Sequence, residues 1–470
     1  MNWKTIFKSF KSRDMQKRLL IVLALVVIYR FLAHVPVPLA EPAQLKTVLE
    51  NLVQANNLGG FFNLLSGGAL ASLSIVLVGL TPYITASVIM QLLTKAIPRL
   101  EELHKDGETQ RRKINQWTRL ITLPLAILQS VAFIFILRQT VLAGNAAVLG
   151  STTPFDWFLA ILAMTTGAML LMWLGELITE QGVGNGISLL IFAGIVSQLP
   201  STFGLVGASL TNLPSEAAKL HVFNWFVLPV NAVAFYVFLA IGVVALVALY
   251  AIVKINEAQR VVQVNYAKRV RGNREYGGVS SILPIKLITA GVIPVIFAVA
   301  FLALPAFAGQ LLLASKNPAW TGLADNLVRW FQTPNPGSFT GSDPSALIYP
   351  AAYFALVVLF TYFYTSIVFN SAEIAENLSK QNAFIANVRP GEQTEKHLST
   401  IVNRLTLFGS LALGLIAVLP FVSEFVFAKL GINAQNLAIG GTGLLIVVSV
   451  ALESLRHINS RALMVTYDEY

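Results

Sequence analysis

Long uninterrupted apolar stretches dominate this sequence and limit what it can fold into. Ten of them reach roughly 18 residues or more, enough to cross the hydrocarbon core of a bilayer as α-helices. Only 12% of the residues are charged and the mean hydropathy is +0.68, which disfavours a water-soluble fold. The predicted class is an all-α polytopic membrane protein. In chain order, spans 1 to 10 are residues 19–38, 72–94, 118–142, 156–178, 186–208, 224–253, 282–314, 346–370, 400–428 and 437–455.

The positive charges indicate how these spans are oriented. A net charge of +10 fits either a nucleic-acid partner or the cytoplasmic excess of Lys and Arg found in membrane proteins. With a cytoplasmic amino terminus, 26 of the 33 Lys and Arg residues lie in or beside cytoplasmic segments, and six lie on the opposite face. This asymmetry favours the membrane interpretation and predicts cytoplasmic termini. Span 1 follows a basic segment and exceeds the usual apolar length of a secretory signal, so we expect a mature helix.

Spans 2 and 7 share a short motif. Span 2 carries Gly79-Leu80-Thr81-Pro82-Tyr83-Ile84 and span 7 carries Gly291-Val292-Ile293-Pro294-Val295-Ile296, so both read Gly-x-x-Pro-x-Ile. If the chain is two units of five spans, these motifs occupy equivalent places. Because five is odd, the two units then lie upside down to each other in the membrane. Chance is the alternative, since Gly and Pro are common in membrane helices. Either way, spans 2 and 7 are predicted to be the irregular or mobile helices.

Few residues suit catalysis, metal binding or ion coupling. The sequence has no cysteine, and its five histidines are too scattered to form a helical ligand pair. Arg30 and His34 lie toward the outer end of span 1, while Glu176 and Glu180 lie at the cytoplasmic end of span 4, where snorkelling or solvation explains them. Residues 182–186 resemble a phosphate loop but follow a helix and lack a Lys-Ser/Thr pair, which predicts a tight turn. We expect no enzyme activity, cofactor or metal.

A moderately apolar segment, residues 61–72, precedes span 2. It is too short to cross a bilayer alone, and a Gly pair divides it. It is either a half-helix entering from the outer face, which needs protein or water around its irregular backbone, or the start of an interfacial helix. The residues by themselves leave both interpretations open.

Several motifs in one order resemble a single family. Residues 61–93, FFNLLSGGALASLSIVLVGLTPYITASVIMQLL, resemble the plug and second helix of SecY, the pore subunit of the protein-conducting Sec channel (translocon). The resemblance runs from about residue 17 to 456. The further matching motifs are Gly107-Glu108 with residues 111–116, residues 173–176 with 184–188, residues 258–260 with 266–269, residues 283–286 with 290–297, residues 389–391 and residues 404–406.

The resemblance implies a fold and a function. The fold would be ten transmembrane helices in two inverted five-helix halves, a SecY-type clamshell whose pore opens sideways to lipid between spans 2 and 7. The function would be the central pore of the Sec translocase in a bacterial-type plasma membrane, passing unfolded secretory polypeptides and releasing transmembrane segments into lipid. The expected divisions are a basic amino terminus (1–18), one half (19–208), a second half (209–456) with cytoplasmic loops 254–286 and 371–404, and a cytoplasmic tail (457–470).

The resemblance also implies three groups of residues that act on the passing chain. A narrow aliphatic ring dewets and blocks ions, yet it can yield around a sliding polypeptide. The implied ring is Leu80, Ile84, Ile187, Ile191, Ile296 and Ile446. The implied plug beneath it is Phe61, Phe62, Asn63, Leu64, Leu65, Ser66, Gly67, Gly68, Ala69, Leu70, Ala71 and Ser72. The implied lateral gate includes Pro82, Ser87, Gln91, Ile288 and Pro294.

The basic loop 254–286 indicates a partner site. Its alternating residues 261–266 precede a cluster of basic residues, which predicts a projecting hairpin with a charged tip. Such a tip suits ribosomal RNA or an acidic patch on a motor, although it can also simply set the topology. The resemblance implies docking of a ribosome with its nascent chain and of the SecA ATPase through Arg260, Lys268, Arg269, Arg271 and Arg389. Other implied partners are the SecE and SecG subunits, signal peptides, unfolded polypeptides and membrane lipids, without DNA.

Three positions depart from the family pattern. Where the family has Asn in a Lys-Val-Asn sequence, this chain has Lys286-Leu287-Ile288, so a polar contact facing Gln91 across the closed gate is expected to be lost. That loss predicts a shifted threshold of signal hydrophobicity. Ala386-Asn387 replaces the usual Pro-Gly, and residues 30–36 lack the usual glycine.

Two other functions compete with a protein channel. An inverted-repeat secondary transporter has a compatible topology, but the charge-poor middle of the spans disfavours it. An intramembrane enzyme would need a motif such as His-Glu-x-x-His, paired Asp residues or a Ser-His set, and the sequence offers none.

Overall fold

The fold is mainly helical in the computed structural model, which describes residues 13–39, 73–105, 108–144, 153–211, 219–222, 226–266, 269–271, 274–276, 280–314, 319–334, 344–429 and 441–468. The helices are α1 (Arg13–Leu32), α2 (Thr81–Ala96), α3 (Pro98–Lys105), α4 (Glu108–Gly144), α5 (Pro154–Glu180), α6 (Gly186–Thr211), α7 (Ala232–Glu257), α8 (Ile293–Ala314), α9 (Thr321–Phe331), α10 (Ile348–Val368), α11 (Ser371–Lys380), α12 (Glu392–Lys429) and α13 (Gly441–Asp468). The strands are β1 (Lys219–Val222), β2 (Phe226–Asn231), β3 (Gln259–Tyr266), β4 (Arg269–Arg271), β5 (Arg274–Tyr276), β6 (Ser280–Lys286) and β7 (Ala383–Ile385).

Each predicted span overlaps one of these helices. Among the described residues, six helical stretches are long and apolar enough to cross a membrane. The helix of span 1 carries several charges at its start and Arg30 near its end, and the helix of span 2 has only 16 residues. The six stretches are Arg112–Phe135, Pro154–Glu180, Ala232–Glu257, Ile293–Leu313, Ser345–Lys380 and Glu392–Ser423.

Local polar groups fix where several helices begin. At the start of α5, Thr153 and Asp156 form a capping box, in which each side chain accepts a hydrogen bond from the other residue's backbone N–H. Asn231 caps α7 by accepting from the backbone N–H groups of Val233 and Ala234. These caps satisfy N–H groups that have no partner within the helix.

The helices of spans 2 and 7 begin late and in the same way. Residues 73–80 form turns before α2, and in span 7 the strand β6 and a turn precede α8. Gly79 has φ +64° and Gly291 has φ +63°, in the left-handed region that glycine adopts without strain. Each helix starts two residues later, with Pro82 or Pro294 at its second position, where a missing N–H is tolerated. The repeated motif therefore encodes a repeated helix start.

The predicted hairpin of loop 254–286 is present, and a second loop extends it. Strands β3 and β6 pair antiparallel, β4 pairs with β5 at the tip, and β7 from loop 371–404 pairs with the other edge of β3. One face of this sheet packs on the start of α12, where Leu398 is fully buried. The two loops that the sequence assigned separately to partner docking therefore form one sheet.

Three details differ from the sequence expectations. Span 6 begins as strand β2 before α7, since residues 226–231 pair with β1. Helix α9 lies between spans 7 and 8 and packs against α8. Glu176 is not simply solvated, because its carboxylate lies 2.7 Å from the guanidinium of Arg119 on α4. This ion pair joins α4 to α5.

Candidate constriction and gate

Five of the six predicted ring residues belong to the largest buried cluster of the described residues, and the sixth, Ile187, packs against that cluster. The six residues come from four helix starts or helices that are distant in sequence: Leu80 and Ile84 from α2, Ile187 and Ile191 from α6, Ile296 from α8 and Ile446 from α13. Five of them are 0% to 7% exposed, and Ile187 is partly buried against the same cluster. We call these six residues the aliphatic centre; the cluster that holds them also contains aromatic side chains such as Tyr29, Tyr353 and Phe360.

The turn between α5 and α6 sets the position of Ile187 and Ile191. The hydroxyl of Thr179 donates to the carbonyl of Gly175 at 2.8 Å and accepts from the backbone N–H of Gly186 at 2.9 Å. A Cβ placed on Gly186 would lie only 1.8 Å from the Gly175 oxygen. The two helices therefore touch through their backbones, directly beside the ring residues. The glycine-rich turn that the sequence predicted is present, with Gly182 at φ +69°.

Val292 is an aliphatic residue of the same buried cluster that sequence reasoning did not single out. Val292 occupies the position in the span 7 motif that Leu80 occupies in span 2, immediately after the left-handed glycine. It is fully buried in the same cluster as Leu80 and Ile84. The motif itself held this signal, because aligning the two copies pairs Ile84 with Ile296 and Leu80 with Val292.

The predicted gate residues lie on or just before α2 and α8. Pro82 and Pro294 are buried in the first turns, and the Gln91 amide donates to the Ser87 hydroxyl at 3.2 Å. Ile288 is 4% exposed and packs beside Gly409 of α12. Helix α8 contacts both α2 and α4.

Helix α2 carries polar atoms that this conformation leaves unpaired. The hydroxyls of Thr81 and Thr85 and the carbonyl oxygen of Gln91 are buried, with no hydrogen-bond partner among the residues the structure describes. A buried polar atom without a partner is unfavourable by about 1–3 kcal/mol. Movement of α2 that brings water or a peptide to these atoms would recover that free energy.

A cavity of about 400 Å³ opens beside the aliphatic centre. On α13, Ser449, Glu453 and Arg456 line it at helical spacing from Ile446, so one face of the helix leads from the centre to the cavity. Lys286 also lines the cavity, and burial holds its pKa below the usual value; nearby Arg456 acts in the same direction and Glu453 opposes it. Along this face of α13, the aliphatic residue Ile446 is therefore followed by polar and charged residues that line the cavity.

Asn256 fixes this wall to α7. Its side-chain amide donates to the Ser449 hydroxyl at 3.3 Å, and the Arg456 guanidinium donates to its backbone carbonyl. Asn256 is 8% exposed, so both contacts are largely shielded from water. The end of α7 thereby holds the α13 face that carries Ile446.

The predicted docking residues lie apart from the aliphatic centre. Arg260 is exposed on β3, and Arg389 is exposed just after β7, where its carbonyl accepts from the Thr394 hydroxyl at 2.9 Å. Arg269 and Arg271 belong to β4 at the hairpin tip. Lys268 and the whole predicted plug, residues 61–72, lie outside the described residues.

Together these features define a multi-pass helical membrane protein with a large buried hydrophobic cluster and a cavity lined by polar residues. The profile of the SecY family matches residues 74–455. The protein translocase subunit SecY of Corynebacterium glutamicum is 39% identical over 470 residues, covering 98% of both chains. Its counterpart from Streptomyces galbus is 38% identical over 468 residues with the same coverage. This chain belongs to the SecY family.

Solved structures share the fold. One described as the structure of a protein conducting channel has a TM-score of 0.58 and 20% identity, over 94% of this chain and 92% of that chain. Another, on the plug domain of the SecY protein, has a TM-score of 0.59 and 19% identity over the same shares.

Proposed function

We propose that this chain is the central pore-forming subunit of a Sec translocase, which passes unfolded secretory polypeptides across a membrane and releases transmembrane segments sideways into lipid. The observation that carries the proposal is the aliphatic centre. The proposal is supported by the burial of the residues of this centre: Leu80, Ile84, Ile191, Ile296 and Ile446, from four places in the chain, belong to one buried cluster, and Ile187 packs against it.

An aliphatic centre suits a passage for polypeptides. It offers no charge to hold an ion and no hydrogen-bonding group to retain a peptide, and a narrow apolar constriction excludes water when empty. Dispersion contacts between such side chains are individually weak, so they part and reform around residues of different size. The neighbouring cavity is lined by Glu453, Arg456 and Lys286, charged groups that favour water beside the centre.

The lateral gate is assigned to α2 and α8. Each begins with a left-handed glycine and a proline, so neither helix start is fixed by a continuous helical hydrogen-bond ladder. The unpaired oxygens of Thr81, Thr85 and Gln91 favour movement of α2. Opening between α2 and α8 would expose the centre to lipid and let an apolar segment leave.

The finer architecture belongs to the same proposal. It has ten crossings in two inverted halves, both termini in the cytoplasm of a bacterial-type cell, and residues 61–72 as a plug under the ring. The duplicated helix starts at Gly79 and Gly291 support the inverted halves. The distribution of Lys and Arg supports the orientation.

Partner docking is assigned to the sheet formed by loops 254–286 and 371–404. Arg260 and Arg389 are exposed on it, Arg269 and Arg271 belong to the β4–β5 hairpin between β3 and β6, and Lys268 precedes Arg269 in the sequence. A cationic projection binds RNA phosphates or an acidic protein surface. The proposed occupants are the ribosome and the SecA ATPase, with SecE and SecG as the membrane subunits.

Reconstitution tests this function against the transporter alternative. The chain is placed in proteoliposomes with its membrane subunits and the motor ATPase, and protection of an unfolded secretory precursor from external protease is measured beside uptake of small solutes. We expect ATP-dependent protection that requires the signal sequence. Saturable solute uptake without precursor protection would contradict the proposal.

A further inference from the structure

The segments that lead into α2 and α8 are each held from two sides. In the first segment, the backbone N–H of Ile75 donates to the carbonyl of Val35, just after α1, at 3.0 Å. On its other side the Ile75 carbonyl faces Gly167 of α5, where an added Cβ would lie 2.1 Å from the oxygen. The backbone of this segment thus rests directly on α5.

The second segment repeats this arrangement. The backbone N–H of Leu287 donates to the carbonyl of Ala258, just after α7, at 2.9 Å. Its carbonyl faces Gly409 of α12, where an added Cβ would lie 2.5 Å from the oxygen. Gly167 and Gly409, the seat glycines, are both buried.

The two arrangements correspond residue for residue. Ile75 lies four residues before Gly79, and Leu287 lies four residues before Gly291. The accepting carbonyls, of Val35 and Ala258, come just after the helices of spans 1 and 6, and the seat glycines lie in spans 4 and 9. In a chain of two five-span units these are equivalent spans, so the helix starts and their supports were duplicated together.

We propose that Gly167 and Gly409 are paired positioning residues that seat the starts of α2 and α8 in the closed channel and thereby set how apolar a signal must be to open it. The inference rests on the proposed channel function and adds the residues that regulate its gate. A side chain at either seat must displace its neighbour, because real Cβ contacts essentially never fall below 3.0 Å.

An added side chain at a seat glycine is expected to displace the short segment before α2 or α8 rather than the long helix that carries the glycine. Helices α5 and α12 are long, with 27 and 38 residues, and the proline inside α12, Pro420, lies well beyond Gly409, whereas the segments before α2 and α8 are short turns. Displacing a segment moves the helix start that carries ring residues and weakens the closed state. A weaker closed state shifts the population toward the open state, so a less apolar signal suffices.

The test uses Gly167→Ala and Gly409→Ala in cells that depend on this chain for export. Two forms of a secreted reporter are compared, one with an intact signal and one whose apolar core is shortened. We expect the export ratio of shortened to intact signal to rise about fivefold or more. The rise should be larger for Gly167→Ala, because its contact is closer.

Gly242→Ala on α7 is the matched control, since nothing lies within 4 Å of its added Cβ. An unchanged ratio in seat variants that accumulate normally would overturn the inference, as would an equal rise in the control. If a seat variant does not accumulate, Gly291→Ala strains the same segment through its φ of +63°, with only the Glu453 carboxylate near, at 3.8 Å. Gly291→Ala must then show the same rise in the export ratio of shortened to intact signal. Failure of the unaltered chain to export the intact-signal reporter would instead refute the channel function.

Discussion

Gly186→Ala should open a leak through the resting channel. Gly186 is the first residue of α6, and the ring residues Ile187 and Ile191 follow it within the first two turns. An added Cβ would lie 1.8 Å from the Gly175 oxygen and 2.8 Å from the Thr179 hydroxyl oxygen. The obstacle is backbone rather than a flexible side chain, so α6 itself has to move.

The size of the movement follows from the contact. Raising 1.8 Å to the 3.0 Å limit of real Cβ contacts takes about 1.2 Å. Because helices move as rigid units, Ile187 and Ile191 shift by a similar distance. A radial gap of about 0.5–1 Å already forfeits a quarter to a half of a dispersion contact, so the seal on the α6 side of the ring is lost. The protein should fold, with a penalty of about 1–3 kcal/mol for overpacking.

Single-channel recording in planar bilayers measures the effect. The resting complex with Gly186→Ala should conduct ions more than the unaltered complex while still exporting polypeptide. Gly175→Ala gives an intermediate test, since its Cβ would lie 3.2 Å from Cγ1 of Ile187 and ask for only a few tenths of an ångström. Gly207→Ala, on the same helix with nothing within 4 Å, is the control. Equal resting conductance in all three variants would refute the reasoning.

Three further predictions concern the plug, the docking sheet and the gate. Deleting residues 61–72 should leave a folded protein with a raised resting ion leak, and unchanged bilayer conductance would count against the plug. Arg389→Glu reverses an exposed charge and should weaken motor-driven export in vesicles several-fold while leaving membrane insertion intact, whereas normal export would refute its docking role. Ile288→Asn places an amide in a site that is 4% exposed, so it should alter the signal-hydrophobicity threshold; identical signal preferences in the two chains would contradict this.

Local sequence signals predicted the helices and their irregular starts. The apolar runs determine the spans, because each must satisfy its backbone inside lipid. The Gly-x-x-Pro motif predicted where helices become irregular, because Gly79 and Gly291 permit a left-handed backbone and the prolines suit the first turn of a helix. The ring prediction came from the family resemblance, since each isoleucine taken alone suits ordinary core packing.

Contacts between distant parts of the chain were not predictable from such signals. Arg119 and Glu176 pair across 57 residues, and β3 pairs with β7 across more than a hundred. Strand β2 was hidden because an apolar run can form a strand as well as the start of a helix. The packing of Gly167 and Gly409 on backbone carbonyls depends on how helices meet, which no single segment encodes.

Crosslinking a stalled secretory chain tests the channel most directly. The sequence has no cysteine, so cysteines introduced at Ile84, Ile191 and Ile446 are unique targets. Leu239 on α7, which is 57% exposed and away from the centre, provides the control position. We predict crosslinks from the middle of the translocating chain to all three ring positions and none to position 239. Crosslinks absent from the ring positions, or equally strong at position 239, would contradict a passage through the aliphatic centre.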